Sequence, residues 1–150
     1  MVVRSMGRIA VTTSRARGAA DSERVIRTVG PNVMASVYYF YDAVHERGIE
    51  PPSFLRRIWA RYCALVEEVP REHRHFRTHE FHYTRLHPGE AELIDADLIR
   101  ATCLVGTADE LIEQIQELER QGLQELMFAT GVDGKWRFAE ELSRRVMARV

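Results

Sequence analysis

Five of the six histidines fall between residues 71 and 94: His73, His75, His79, His82 and His87. His75 and His79 are four apart, and His79 and His82 are three apart. On a helix either spacing puts both rings on one face. Imidazoles placed that way can ligate zinc, move protons near neutral pH or contact a substrate. Zinc needs three converging ligands, and spacing alone does not show convergence. Glu80 sits between His79 and His82 without the HExxH spacing of helical metalloproteases. No metal site is therefore assigned. On the residues alone, one or two hydrogen-bonded histidines with the rest solvated accounts for the cluster.

Other chemistry-bearing patterns are few. Tyr38, Tyr39, Phe40, Tyr41, Trp59 and Tyr62 could line a flat-ring pocket, but at helical spacing they read first as a seam between two packed helices. Gly106 belongs to no phosphate loop, since neither GxGxxG nor GxxxxGK[ST] occurs. Cys63 and Cys103 have no basic, motif-bearing surroundings and offer no nucleophile. Asp109, Glu110, Glu113, Glu117 and Glu119 read as a solvated helix face.

The elements that must hold these residues follow from pattern. Residues 8–14 alternate and are β-branched, which predicts a strand. A loop follows over 15–21. Ser22 can cap a short helix, which Gly30-Pro31 is expected to break. Val33, Val37, Phe40, Tyr41 and Val44 then repeat at helical spacing up to Gly48, a helix-ending residue. Pro51 and Pro52 open a second helix, with a broad apolar stripe from Phe54 to Val69 and a stop at Pro70. The two helices are expected to pack as an antiparallel pair. Residues 71–94 read as polar and irregular, and a short helix is expected over 95–101. Thr107 to Glu110 spell a capping box, Leu111, Ile112, Ile115 and Leu118 make the buried face behind it, and Gly122 ends that helix in a tight turn. A strand over 123–129 and an amphipathic helix over roughly 135–148 close the chain. Two lone strands make a poor sheet, so the pattern is expected to be one end of a larger α/β fold.

Composition sets the outer limits. The chain has 150 residues, 45% hydrophobic and 29% charged, which suits one soluble globular domain. With 21 basic and 22 acidic residues the net charge is −1, without the basic surplus that nucleic-acid or anionic-membrane binders carry. The longest apolar stretch, Val33 to Tyr41, is about half of the roughly 20 residues that a membrane span needs. Two cysteines make no disulfide framework and read as reduced thiols of a cytoplasmic protein. The start does not read as a signal peptide.

Residues 104–128, LVGTADELIEQIQELERQGLQELMF, resemble the carboxyl-terminal signature of the luciferase-like monooxygenases: a Gly-Thr-x-(Asp/Glu)-Glu helix start leading through a Gly turn into the last barrel strand. Residues 22–44 and 69–107 are similar to its deazaflavin-dependent branch, in which a Val-Gly-Pro helix precedes a helical insertion and a His-rich segment precedes the last α/β unit. The resemblance implies an α/β fold, the carboxyl-terminal portion of a TIM (β/α)8 barrel. Residues 1–150 would form one partial, mostly helical barrel domain. Residues 8–14 would be strand seven, 30–94 the insertion, and 107–149 the last helix–strand–helix unit with strand eight at 123–129. A complete barrel needs roughly 250 residues, so strands one to six, and with them most of the cofactor pocket, would lie elsewhere.

The resemblance also implies chemistry. The cofactor would be coenzyme F-420 or FMN, and the reaction hydride transfer between the reduced cofactor and a small organic substrate. His79 and His82 would lie on the substrate side and contact substrate or cofactor. The partner would be the remainder of the barrel or, in a homodimer, a second copy. Alone, the chain is expected to be inactive. Two rival readings are a non-catalytic helical module that dimerises and a His-rich metal-binding module.

Overall fold

Seven residues of alternating β-branched character, Gly7–Thr13, form the first strand, β1, at the centre of a three-stranded parallel sheet. The computed structural model describes residues 7–13, 22–129 and 135–150. Ser14 of the expected strand and the expected loop over 15–21 lie outside the described residues. β1 pairs on one side with β2, Cys103–Gly106, in the register Ala10↔Cys103 to Thr13↔Gly106. On the other side it pairs with β3, Leu126–Ala129, in the register Gly7↔Leu126 to Ala10↔Ala129. Both expected strands form, the second shorter than 123–129. The structure adds β2, whose four residues are too few to display an alternation. Each partner of β1 lies far along the chain from it, so the sheet depends on the helices between.

The first of these, α1, runs unbroken from Glu23 to Arg47. Ser22 accepts from the Val25 amide at 3.4 Å, and Gly48 ends the helix at φ 65°. The expected break at Gly30-Pro31 does not occur, and Pro31 stands inside the helix. Interior proline costs about 3 kcal/mol by losing one backbone hydrogen bond. Here packing overrides it: residues 29–35 are all buried, so this turn is enclosed on every side. Gly30 is part of the reason. A Cβ at that position would lie 3.1 Å from the methyl ends of both Leu86 and Ile94.

A 3₁₀ turn at Ser53–Leu55 leads into α2, Arg56–Glu67. The aromatic seam forms as expected: Tyr38 stacks on Tyr62, Tyr41 meets Trp59 and Tyr62, and Phe40 meets Phe54 edge-on. The segment after Pro70 is more regular than its polarity implied. It holds a 3₁₀ turn at Arg71–His73, a short helix α3 at Arg74–His79 and another 3₁₀ turn at Ala91–Leu93. Helix α4, Ala96–Thr102, is capped by Asp95, which accepts from Leu98 at 2.8 Å. The main core gathers Val29, Val33, Tyr38, Leu55, Tyr62, Leu98 and Ile99 from these elements.

The capping box forms in full at the start of α5, Ala108–Arg120. Glu110 N–H donates to Thr107 Oγ1 at 3.3 Å, and Thr107 N–H donates back to Glu110 Oε2 at 2.8 Å. Gly106 makes room for this carboxylate, since a Cβ there would lie 2.9 Å from Glu110 Cβ. At the other end Gly122 takes φ 95°, and Leu123 N–H reaches Leu118 O at 2.9 Å, as the Gly turn implied. α5 packs Leu111, Ile112 and Ile115 against Leu142 and Val146 of the last helical segment, where α6 spans Lys135–Arg145. Thr107→Ala is expected to cost about 1 kcal/mol. Urea denaturation checks this, and an unchanged midpoint would mean that the box contributes nothing to stability.

Candidate functional site

The His-rich segment and the middle of α1 are brought together by the turns that follow Pro70. α3 carries Arg77 and His79, the turn over 81–84 carries His82, and the chain then returns through Pro88-Gly89 to Glu90. Tyr83 holds φ 62° in that turn, a left-handed conformation that a bulky residue seldom takes. Gly89 turns at φ 82°.

His79 and His82 end up as neighbours, their rings nearly parallel with centroids 5.7 Å apart. His79 Nε2 lies 3.1 Å from Asp42 Oδ2 of α1. His82 meets the ring of Tyr38 edge-on. The His79 side chain is more than half exposed. With Nε2–H donating to Asp42, Nδ1 is the lone-pair nitrogen and can accept a proton. Burial raises the pKa of Asp42, and the neighbouring His79 pulls it the other way. The remaining histidines do not join them. His73 and His75 pack on the exposed ring of Phe76, and His87 is buried against Phe81. Among the described residues no group of three or more His, Cys, Asp or Glu side chains is arranged to hold a metal ion.

Behind the histidine pair lies a buried polar cluster that no local pattern announces. Glu90 has no exposed surface. Tyr38 O–H and the His87 backbone N–H both donate to its Oε2 at 2.8 Å. Arg77 Nη1 stands 3.3 Å from its Oε1, and Arg77 Nη2 donates to Pro88 O at 3.3 Å. Burial pushes the Glu90 carboxyl up to about 7, while the Tyr38 hydrogen bond and the Arg77 charge oppose the rise. Arg77 Nη1 and Glu90 Oε1 face each other without making a hydrogen bond. Burial likewise raises the hydroxyls of Tyr38 and Tyr62 far above the ordinary tyrosine value. These phenols stay protonated. Glu90 lies in the acidic stretch Gly89 to Asp97, which reads as surface. Only the Pro-Gly turn before it hinted that the chain reverses there. Cys103 is buried with its thiol pushed up to about 11, which leaves it inert near neutral pH.

Parallel sheets take their ligands at the carboxyl ends of the strands. Here those ends are Thr13, Gly106 and Ala129. The sequence model of the luciferase-like monooxygenases matches residues 4–125, well over half of the chain. The chain belongs to the luciferase-like monooxygenase family. That places it in a flavin-type oxidoreductase lineage. No curated protein and no solved structure gives a match to it.

The family implies a flavin-type cofactor, and the described residues of this luciferase-like chain do not by themselves fit one. After β2, the amide of Thr107 and the first-turn amide of Glu110 are already engaged in the capping box, so this helix start does not offer those donors to a phosphate. After β1 and β3 the chain passes into residues outside those described. His79 and His82 remain, tied to Asp42 and Tyr38, and two histidines do not cradle a ring system and a phosphate. Among the described residues no helix is long and apolar enough to cross a membrane.

Proposed function

We propose that this luciferase-like chain is the carboxyl-terminal part of a barrel oxidoreductase of the deazaflavin-dependent branch. The complete enzyme transfers a hydride between coenzyme F-420 and a small organic substrate, with FMN as the alternative cofactor if the chain belongs to the flavin-dependent branch instead. In this reading β1 and β3 are the last two barrel strands and residues 30–94 form the insertion over the barrel mouth. His79 and His82 face the substrate, with Asp42 orienting His79 so that Nδ1 can accept a proton.

One observation carries the reading. β1 pairs in parallel with β3 across a long helical segment, as neighbouring barrel strands do, while the short strand β2 between them in the chain lies along the other edge of β1. Among the described residues β2 and β3 are edge strands, and it is there that further strands would join, from additional sequence or from a second chain.

The test is a fluorescence titration of FMN and of F-420. It is run on the 150-residue chain and on the product of any longer open frame that encodes the six earlier α/β units. The expected result is saturable binding at micromolar cofactor by the longer product and none by the 150-residue chain. Saturable binding by the short chain alone would overturn its dependence on the rest of a barrel. No binding by either would remove the oxidoreductase reading. A melting temperature that rises with protein concentration would then favour the dimerising helical module.

A further inference from the structure

Four buried side-chain atoms in the Glu90 cluster make no hydrogen bond: Tyr62 Oη, Arg77 Nη1, His87 Nε2 and Glu90 Oε1. Tyr62 and Glu90 have no exposed surface, and His87 is 8% exposed. Protein interiors rarely leave such groups unsatisfied, and an unseen water or ligand is a usual reason when they do. The four come from α2, α3 and the loop ahead of residue 91. Arg77 Nη1 and Glu90 Oε1 stand side by side at 3.3 Å. The ring of Tyr62 stacks on Tyr38, whose own hydroxyl already holds the other oxygen of Glu90. His87 is tethered to the same carboxylate through its backbone.

The chemistry of these groups selects the guest. Arg77 can only donate and an ionised Glu90 can only accept, while Tyr62 and His87 can do either. A cation would meet the Arg77 guanidinium, and an anion would meet the Glu90 carboxylate wherever that group is ionised. An apolar guest would satisfy none of them. A neutral molecule that both donates and accepts serves all of them, and the burial of the site limits its size. We propose that a single buried water links Tyr62 Oη, Arg77 Nη1 and Glu90 Oε1. It pins α2 to α3 and to the returning loop. This does not depend on the oxidoreductase reading.

Tyr62→Phe separates the alternatives because it removes the hydroxyl and keeps the ring. If the water is present, the variant melts several degrees below the wild type, since a satisfied buried hydroxyl is lost from a network. A high-resolution crystal structure of the wild type then shows one ordered water within hydrogen-bond distance of Tyr62 Oη and Glu90 Oε1. A variant that melts at or above the wild-type temperature would overturn the proposal. So would wild-type density in which Tyr62 Oη bonds Glu90 directly with no water between them. The wild-type density decides the matter even if the variant fails to fold.

Discussion

Glu90→Ala should lower the unfolding free energy by about 2–5 kcal/mol at pH 6, where the carboxyl is mostly protonated and what is lost is two buried hydrogen bonds to it, at about 1–3 kcal/mol for each donor left unsatisfied. For a chain of this size that corresponds to a fall of roughly 10 °C in melting temperature. The size follows from what the alanine leaves behind. Tyr38 Oη and the His87 amide each lose their acceptor, and Arg77, with only 10% of its side chain exposed, keeps a charge that nothing faces. These groups sit on α1, on α3 and in the loop between α3 and α4, so one carboxylate ties three segments of the helical layer. An exposed pair offers the contrast. Arg57 lies 3.2 Å from both Asp95 and Asp97, but it is 73% exposed, and Arg57→Ala should change stability by less than about 1 kcal/mol. Urea denaturation of both variants gives the comparison. A Glu90→Ala loss no larger than that of Arg57→Ala would show that the cluster is not a structural joint.

How much of this was visible beforehand depended on whether a feature was local. The Thr107–Glu110 box, the Gly48 and Gly122 helix ends and the Leu111/Ile112/Ile115 face were legible because each is set by residues a few positions apart. The aromatic seam was legible for the same reason, its rings lying at helical spacing on two adjacent helices. Pro31 misled, since its local tendency to break a helix was outweighed by the packing of Leu86 and Ile94 against the neighbouring glycine, contacts made more than fifty positions away. β2 is not legible, because four residues between a helix and a cap carry too little pattern. The histidine spacing offers His75/His79 and His79/His82 alike, and only the second pair meets, through the turn after α3 and not along one helix face, while nothing near them points to Asp42. Glu90 was hidden most thoroughly. A glutamate in an acidic stretch reads as solvated, and only the return of the loop beneath Tyr38 buries it.

The pH dependence of stability is the second large effect, and its sign follows from the direction of the Glu90 shift. The folded carboxyl titrates at about 7 and its ordinary value is 4.5. Between those values the folded chain holds a proton that the unfolded chain has released. The contribution of Glu90 is therefore fully present below about pH 4.5 and is lost as pH rises through about 7, by about 3 kcal/mol in all. Other carboxyls blur the wild-type curve. Burial raises Asp42 in the same sense, and hydrogen bonds from Gln121 and Arg120, with the Arg120 charge, lower Glu117 in the opposite sense. Glu90→Gln isolates the effect, because the amide keeps an acceptor for Tyr38 and cannot titrate. Urea denaturation of both proteins at pH 5, 6, 7 and 8 should show the wild type losing about 3 kcal/mol relative to Glu90→Gln across that range. The Glu90→Ala deficit should shrink in step, since the ionised carboxylate it lacks carries a burial cost at pH 8 that the neutral acid does not. A difference that instead grew with pH would mean that the Arg77 guanidinium outweighs burial and that Glu90 is held ionised in the fold.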